Sequence, residues 1–206
     1  MPEALTRAAG QTGPARSYFD ARFDALVHPV APGAHAINGK PSEMLSTVLG
    51  SCIAVCLRDE QRRIGGINHF MLPALADGQS QNRDAMLYGD TAMEVLINAL
   101  MRAGCDRSRL EAKVFGGARI AAAFDQSAIG ERNAQFAVDF LSHEKIPVRS
   151  RDTGGASPRR ILFEPWSGRA LVQHIDPLAT ADLARTEARH QAAISVRRTA
   201  SSVEMF

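Results

Sequence analysis

The chain has 206 residues, 45% of them apolar, enough for one domain with a sizeable core. Its 24 basic and 22 acidic residues leave a net charge of +2 with no long basic block, which argues against a nucleic-acid arm and predicts no nucleic-acid partner. No apolar run reaches the roughly 18 residues of a membrane span, and the N-terminus lacks the continuous apolar core of a signal peptide, so a cytoplasmic protein without direct membrane insertion is expected.

Residues 1–35 are rich in Ala, Gly, Pro and Arg and lack sustained periodicity apart from a short amphipathic piece in SYFDARFDALV. They predict an N-terminal extension, partly disordered. The folded domain is expected over 36–178. Residues 179–206 are Ala- and Arg-rich and then Ser/Thr-rich, a composition that suits a helical or disordered tail.

Within the domain, strand-like and helix-like segments alternate. Ser46 and Thr47 lie on a strand that leads into a Gly50-Ser51 turn. CIAVCLR and IGGINHFML are rich in β-branched and apolar residues and flank the charged bend DEQRR, which predicts a hairpin. TAMEVLINALMRAG places Met93, Leu96, Ile97 and Leu100 at helical spacing and closes on Gly104, a usual C-terminal stop. LEAKVFGGA reads as a strand entering a glycine turn. IGERNAQFAVDFLSHEKI reads as a second helix, with Phe136, Phe140 and Leu141 on its apolar side and Pro147 beyond its end. Two apolar runs around a Ser-Gly turn in PRRILFEPWSGRALVQHI predict a late hairpin. Together these elements describe an α/β domain.

The first hairpin places a thiol near an imidazole. With the bend centred between Glu60 and Gln61, Cys56 faces Gly65, Ala54 faces Ile67 and Cys52 faces His69. Directly opposed residues have Cβ atoms about 4.5 to 5.5 Å apart on one face. The bend contains no Asn-Gly or Asp-Gly to set its type, and a slip of one residue would send the two side chains to opposite faces. Cys52, Ala54 and Cys56 share a face lined with small residues, which suits either a packed core or a site with room for a substrate chain. Gly50 and Ser51 permit a tight turn, and such a turn can present backbone N–H groups to an oxyanion.

A Cys/His pair is chemically useful because the thiolate is the nucleophile and an adjacent imidazole takes the thiol proton and later returns it to a leaving amine. A third group usually orients the base, and Ser46 or Thr47 can supply a hydroxyl for it. Against this, free cysteine is among the most buried residue types. On the residues alone, core packing and catalysis are evenly matched for Cys52. The three cysteines, Cys52, Cys56 and Cys105, are an odd number in a reducing compartment, so no disulfide framework is expected. With His69 they match no common zinc spacing.

TVLGSCIAVCLRD, GGINHFMLP, KVFGGARI, IGERNAQFAVDFL and PRRILFEPWSGRALV resemble, in order and spacing, the chemoreceptor glutamine deamidase family CheD, over about residues 18 to 176. The resemblance implies a compact α/β sandwich similar to the catalytic domain of cytotoxic necrotizing factor-type deamidases. It implies a protein-glutamine glutaminase, an amidohydrolase that converts glutamines of methyl-accepting chemotaxis receptors to glutamate through a cysteine thioester, with no metal or organic cofactor. Carried over by position, the nucleophile falls on Cys52, the base on His69 and the orienting hydroxyl, six positions before the cysteine, on Ser46. Threonine is common there in the family, and Thr47 stands beside it. The implied partners are the cytoplasmic helices of the receptors and, for some members, a CheC-type phosphatase, with recruitment to receptor arrays.

A receptor-binding adaptor that has kept the fold, and a methylesterase using the same thiol, are the alternatives. Arg119, Glu131 and Arg132 are candidate substrate contacts, flanking the site with exposed charge; for IGERN the plain reading is a solvated first helical turn. VFGGARI lacks the Lys-Ser/Thr of a phosphate loop and reads as a tight turn beside the site. Cys56 reads as packing rather than a resolving thiol, Cys105 has no evident partner, and Trp166 reads as packing or hairpin support.

Overall fold

The computed structural model describes residues 16–72, 83–119 and 126–176. Two five-stranded sheets pack face to face. In the first sheet, β1 (Tyr18–Asp20), β2 (Ala25–Pro29), β4 (Glu43–Leu49), β9 (Arg159–Glu164) and β10 (Arg169–His174) lie side by side in that order. The second has the order β3 (His35–Asn38), β6 (Ile64–Asn68), β5 (Ile53–Asp59), β7 (Leu110–Gly116) and β8 (Val148–Thr153). Helices α1 (Arg83–Arg102) and α2 (Gln126–His143) cover the outer face of the second sheet. The result is the compact α/β sandwich that was expected, in three layers: helices, second sheet, first sheet.

Alternation along β5 explains the layering. Ile53, Val55 and Leu57 turn to the helices and pack with Met93, Leu96, Ile97 and Leu100 of α1 and Ala137 and Leu141 of α2. Cys52, Ala54 and Cys56 turn the other way and pack with Leu45, Leu49, Ile161 and Phe163 of the first sheet. Both faces of β5 are buried, as befits the central strand of a covered sheet.

The helices stop where the chain can turn left-handed. Gly104 has φ +88, and the Cys105 N–H reaches back to the Leu100 carbonyl at 3.1 Å, closing α1 with a Schellman-type cap. Lys145, at φ +58, does the same for α2, with the Ile146 N–H on the Leu141 carbonyl at 2.9 Å. Gly89 of α1 lets the helices cross closely, since a Cβ there would lie 2.4 Å from the Phe136 ring.

Strands begin at Tyr18, inside the stretch expected to be an extension. β1 and β2 are integral to the first sheet, where Val27, Met44 and Leu162 form a small apolar cluster on the face opposite the second sheet. The tail expected over 179–206 lies outside the described residues. Both expected hairpins form, but the β5–β6 register differs by two residues: Cys56 pairs with Ile67 and Arg58 with Gly65. The loop spans Glu60 to Arg63, with Arg63 at φ +53, so its centre lies one residue later than expected. A two-residue shift preserves the face of every side chain.

Candidate active site

Strand alternation decides which hydroxyl enters the space between the sheets. Leu45, Thr47 and Leu49 share the inner face of β4, and Ser46 points to the other side. The Thr47 hydroxyl donates to the Val30 carbonyl at 2.8 Å and meets Nδ1 of His69 at 2.7 Å. Its single proton is committed to Val30, so the bond to His69 has to be donated by an Nδ1–H. That fixes the tautomer and leaves the lone pair on Nε2, the atom a base uses. The bond expected from Ser46 is therefore made by Thr47. Ser46 Oγ instead accepts from Nε of Arg160 at 3.3 Å, because its parity on the strand sends it outward.

His69 follows directly after β6, where that strand leaves β5. Its backbone N–H bonds to the Ala34 carbonyl at 3.0 Å and its carbonyl accepts from Gly33 at 2.7 Å. At the gap in the ladder the Val55 N–H is satisfied by Oδ1 of Asn68 at 2.9 Å, while Asn68 Nδ2 donates to the Ala92 carbonyl of α1. The ladder resumes at the reciprocal Ile53–Phe70 pair, both bonds 2.9 Å. Cys52 and His69 are thus diagonal neighbours on one face across that pair, not directly opposed. Diagonal neighbours lie about 7 to 8 Å apart, within reach of long side chains. Both are buried, Cys52 completely.

The turn before Cys52 is held by three consecutive carbonyls. Gly50 O accepts from the Ala118 N–H at 2.7 Å, Ser51 O from Nδ2 of Asn133 at 2.8 Å, and Cys52 O from the Gly117 N–H at 2.8 Å. The glycine turn of VFGGA therefore lies beside the site, as expected. Gly116, at φ +112, cannot be larger: a Cβ would stand 2.1 Å from the Cys52 carbonyl oxygen.

The three cysteines occupy different environments. Cys56 shares the inter-sheet layer, where burial pushes its thiol well above the ordinary range. Cys105 belongs to the helix-side core, and burial with the Asp59 charge nearby pushes it up to about 11. Among the described residues no cluster of three or more His, Cys, Asp or Glu is arranged to hold a metal ion.

The charged candidates lie at the rim. Arg119 and Glu131, both largely exposed, form an ion pair, and the Arg119 N–H bonds to the Gly155 carbonyl at 2.9 Å. Arg132 is half-buried, and burial lowers its pKa. Glu131 also lines a groove of about 540 Å³ between α2 and β8, with Gln135, Val138, Arg151, Thr153 and Gly154. IGERN is not a solvated first turn: α2 begins earlier, at Gln126, and Asn133 lies well inside it, completely buried. The signal for this was present in the spacing Ile129, Asn133, Ala137, Leu141, a stripe at i, i+4 that is buried throughout.

Fold and site define an α/β-sandwich protein that holds a thiol, an imidazole and a hydroxyl in one buried layer between its sheets. The CheD chemotactic sensory transduction family matches residues 71–174. A relative from Bordetella avium is 49% identical over 162 residues, covering 79% of this chain and 71% of its own. One from Bordetella petrii is 46% identical, covering 86% and 77%, and one from Rhodopseudomonas palustris is 41% identical, covering 93% and 89%. Each of the three bears the name "Probable chemoreceptor glutamine deamidase CheD". The chain belongs to the CheD family. Among solved structures, the hypothetical protein YfiH of Bacillus licheniformis overlaps 57% of this chain and 49% of its own at 15% identity, with a TM-score of 0.37, too distant to bear on the chemistry. No described helix is long and apolar enough to cross a membrane.

Proposed function

We propose that this protein hydrolyses the side-chain amide of glutamines in chemoreceptors, yielding glutamate and ammonia through a thioester on Cys52. The observation that carries the reading is the Thr47–His69 hydrogen bond, which leaves the Nε2 lone pair of the imidazole in the same buried layer as the Cys52 thiol. The names of the relatives supply the substrate class.

His69 Nε2 takes the proton of the Cys52 thiol, and the thiolate adds to the carboxamide carbon. The oxyanion that forms is held by backbone N–H groups of the turn around Gly50, whose shape the three carbonyl bonds fix. The C–N bond breaks as Nε2–H returns its proton to the nitrogen, and ammonia leaves. Water then gives a proton to Nε2 and attacks the thioester carbon; the C–S bond breaks and the thiolate is reprotonated. One water is consumed, and every proton comes from the thiol or from water, so the chemistry calls for neither metal nor organic cofactor. Thr47 keeps the ring in the productive tautomer throughout. Ser46, on the outer face of β4, has no part in this scheme. Arg119, Glu131 and Arg132 at the rim contact the receptor helix that carries the glutamine.

The test is incubation with a purified receptor cytoplasmic fragment, with peptide mass spectrometry of each glutamine. Conversion of amide to acid supports a deamidase. Binding without conversion marks an adaptor, and loss of methyl ester from a methylated fragment marks an esterase.

A further inference from the structure

We infer that Asn133 is a positioning residue of the active site, holding the nucleophile turn and the strand of the base in register through one buried amide. The inference rests on the thiol chemistry proposed above. Asn133 is completely buried in α2, and both ends of its amide are spent on the two arms of the site. Nδ2 donates to the carbonyl of Ser51, the residue before Cys52, at 2.8 Å, and Oδ1 accepts from the N–H of Leu72, three residues after His69, at 3.0 Å. No backbone ladder makes this link, because the Ser51 carbonyl and the Leu72 N–H lie beyond the last paired residues, Ile53 and Phe70.

The placement of the amide is itself fixed. Gly130, one turn earlier on α2, meets the Gly117 backbone so closely that a Cβ on Gly130 would stand 2.5 Å from the Gly117 oxygen. Gly117 is the residue whose N–H holds the Cys52 carbonyl. The helix is thus seated backbone to backbone on the turn, and Asn133 is aimed at its second carbonyl. A neutral amide, with one donor and one acceptor end, suits this position. A carboxylate would set a charge against the Ser51 carbonyl, and an apolar residue would leave a buried acceptor and a buried donor unsatisfied.

The experiment measures the pH dependence of iodoacetamide alkylation of Cys52, Cys56 and Cys105 by mass spectrometry in the folded protein, for the wild type, Asn133→Asp, Asn133→Ser and Leu141→Ala. Leu141 is equally buried on the same helix but has no polar side-chain group to bond either arm, so its variant reports loss of packing without loss of a hydrogen bond to the site. Both Asn133 variants should slow Cys52 alkylation at neutral pH roughly tenfold or more and move its profile to higher pH, with Cys56 and Cys105 still protected. Leu141→Ala should keep the wild-type profile at Cys52. Wild-type behaviour of Cys52 in the Asn133 variants would overturn the proposal. General loss of protection at all three cysteines would overturn it too, since it would make Asn133 a purely structural residue. If one variant fails to fold, the other decides. If the profiles shift as expected while the wild type leaves receptor glutamines intact, the positioning role stands and the deamidase reading falls. If receptor glutamines are deamidated while the profiles stay unshifted, the deamidase reading stands and the positioning role falls.

Discussion

The Thr47 hydroxyl bridges the Val30 carbonyl and Nδ1 of His69, so one side chain on the first sheet sets the tautomer of an imidazole on the second. Thr47→Val keeps the shape and removes the bridge. Because a net hydrogen bond contributes about 0.5 to 1.5 kcal/mol, turnover should fall roughly two- to tenfold. Ser46→Ala, on the opposite face of β4, should stay within about twofold of wild type. Steady-state rates of the two variants on one receptor fragment check this, and a larger loss in Ser46→Ala would reverse the assignment.

Reactivity should single out Cys52. Burial raises the thiols of Cys56 and Cys105, the latter to about 11, so neither offers appreciable thiolate at neutral pH. A small alkylator should modify Cys52 first, and His69→Ala should slow that modification. Equal rates at the three positions in folded protein would contradict the pairing of Cys52 with His69.

Two groups predict how stability responds to acid. Burial, with the charge of Arg102 adding to it, lowers the His35 pKa in the folded state. The unfolded chain then binds more protons, so this contribution is complete above the ordinary histidine value and is lost as pH falls through it toward the folded value. Urea midpoints should therefore drop below about pH 6.5, and His35→Gln should flatten that drop. At lower pH Asp59 takes over. Burial works to raise its pKa, but the Arg109 guanidinium and the N–H groups of Asp106 and Arg62 outweigh it and hold the carboxyl at about 2. Its contribution, roughly 2 to 3 kcal/mol, is present above the unfolded value near 4 and is lost as pH falls toward 2. Asp59→Asn should remove it at neutral pH.

Much of this arrangement was legible in the sequence, and the gaps have physical causes. The β5–β6 hairpin showed itself in its apolar runs, yet DEQRR carries no turn signature, and the left-handed Arg63 that sets the register is a residue type that gives no hint of it. Ser46 and Thr47 could not be separated because EMLSTVL is apolar at both parities: Leu45 and Leu49 face the second sheet, while Met44 packs on the other side. β8 gives no apolar pattern because Arg149, Ser150 and Arg151 are exposed, and among the described residues it pairs only with β7, at the sheet edge. β1 and β3 are three and four residues long, too short for a period to emerge. Asn133 was visible as a residue but not as a buried one, since its role depends on carbonyls distant in sequence.

The proposed conversion of receptor glutamines to glutamate by Cys52 and His69 can be tested on the receptor itself. The most direct measurement follows each glutamine of a purified receptor cytoplasmic fragment by peptide mass spectrometry after incubation with the wild-type protein, Cys52→Ala or His69→Ala, each first shown to be folded by its thermal melt. Specific glutamines should gain the mass of amide-to-acid conversion with the wild type alone, and both variants should leave them unchanged over the same period. Conversion by folded Cys52→Ala at the wild-type rate, or an intact receptor after exposure to the wild type, would contradict it.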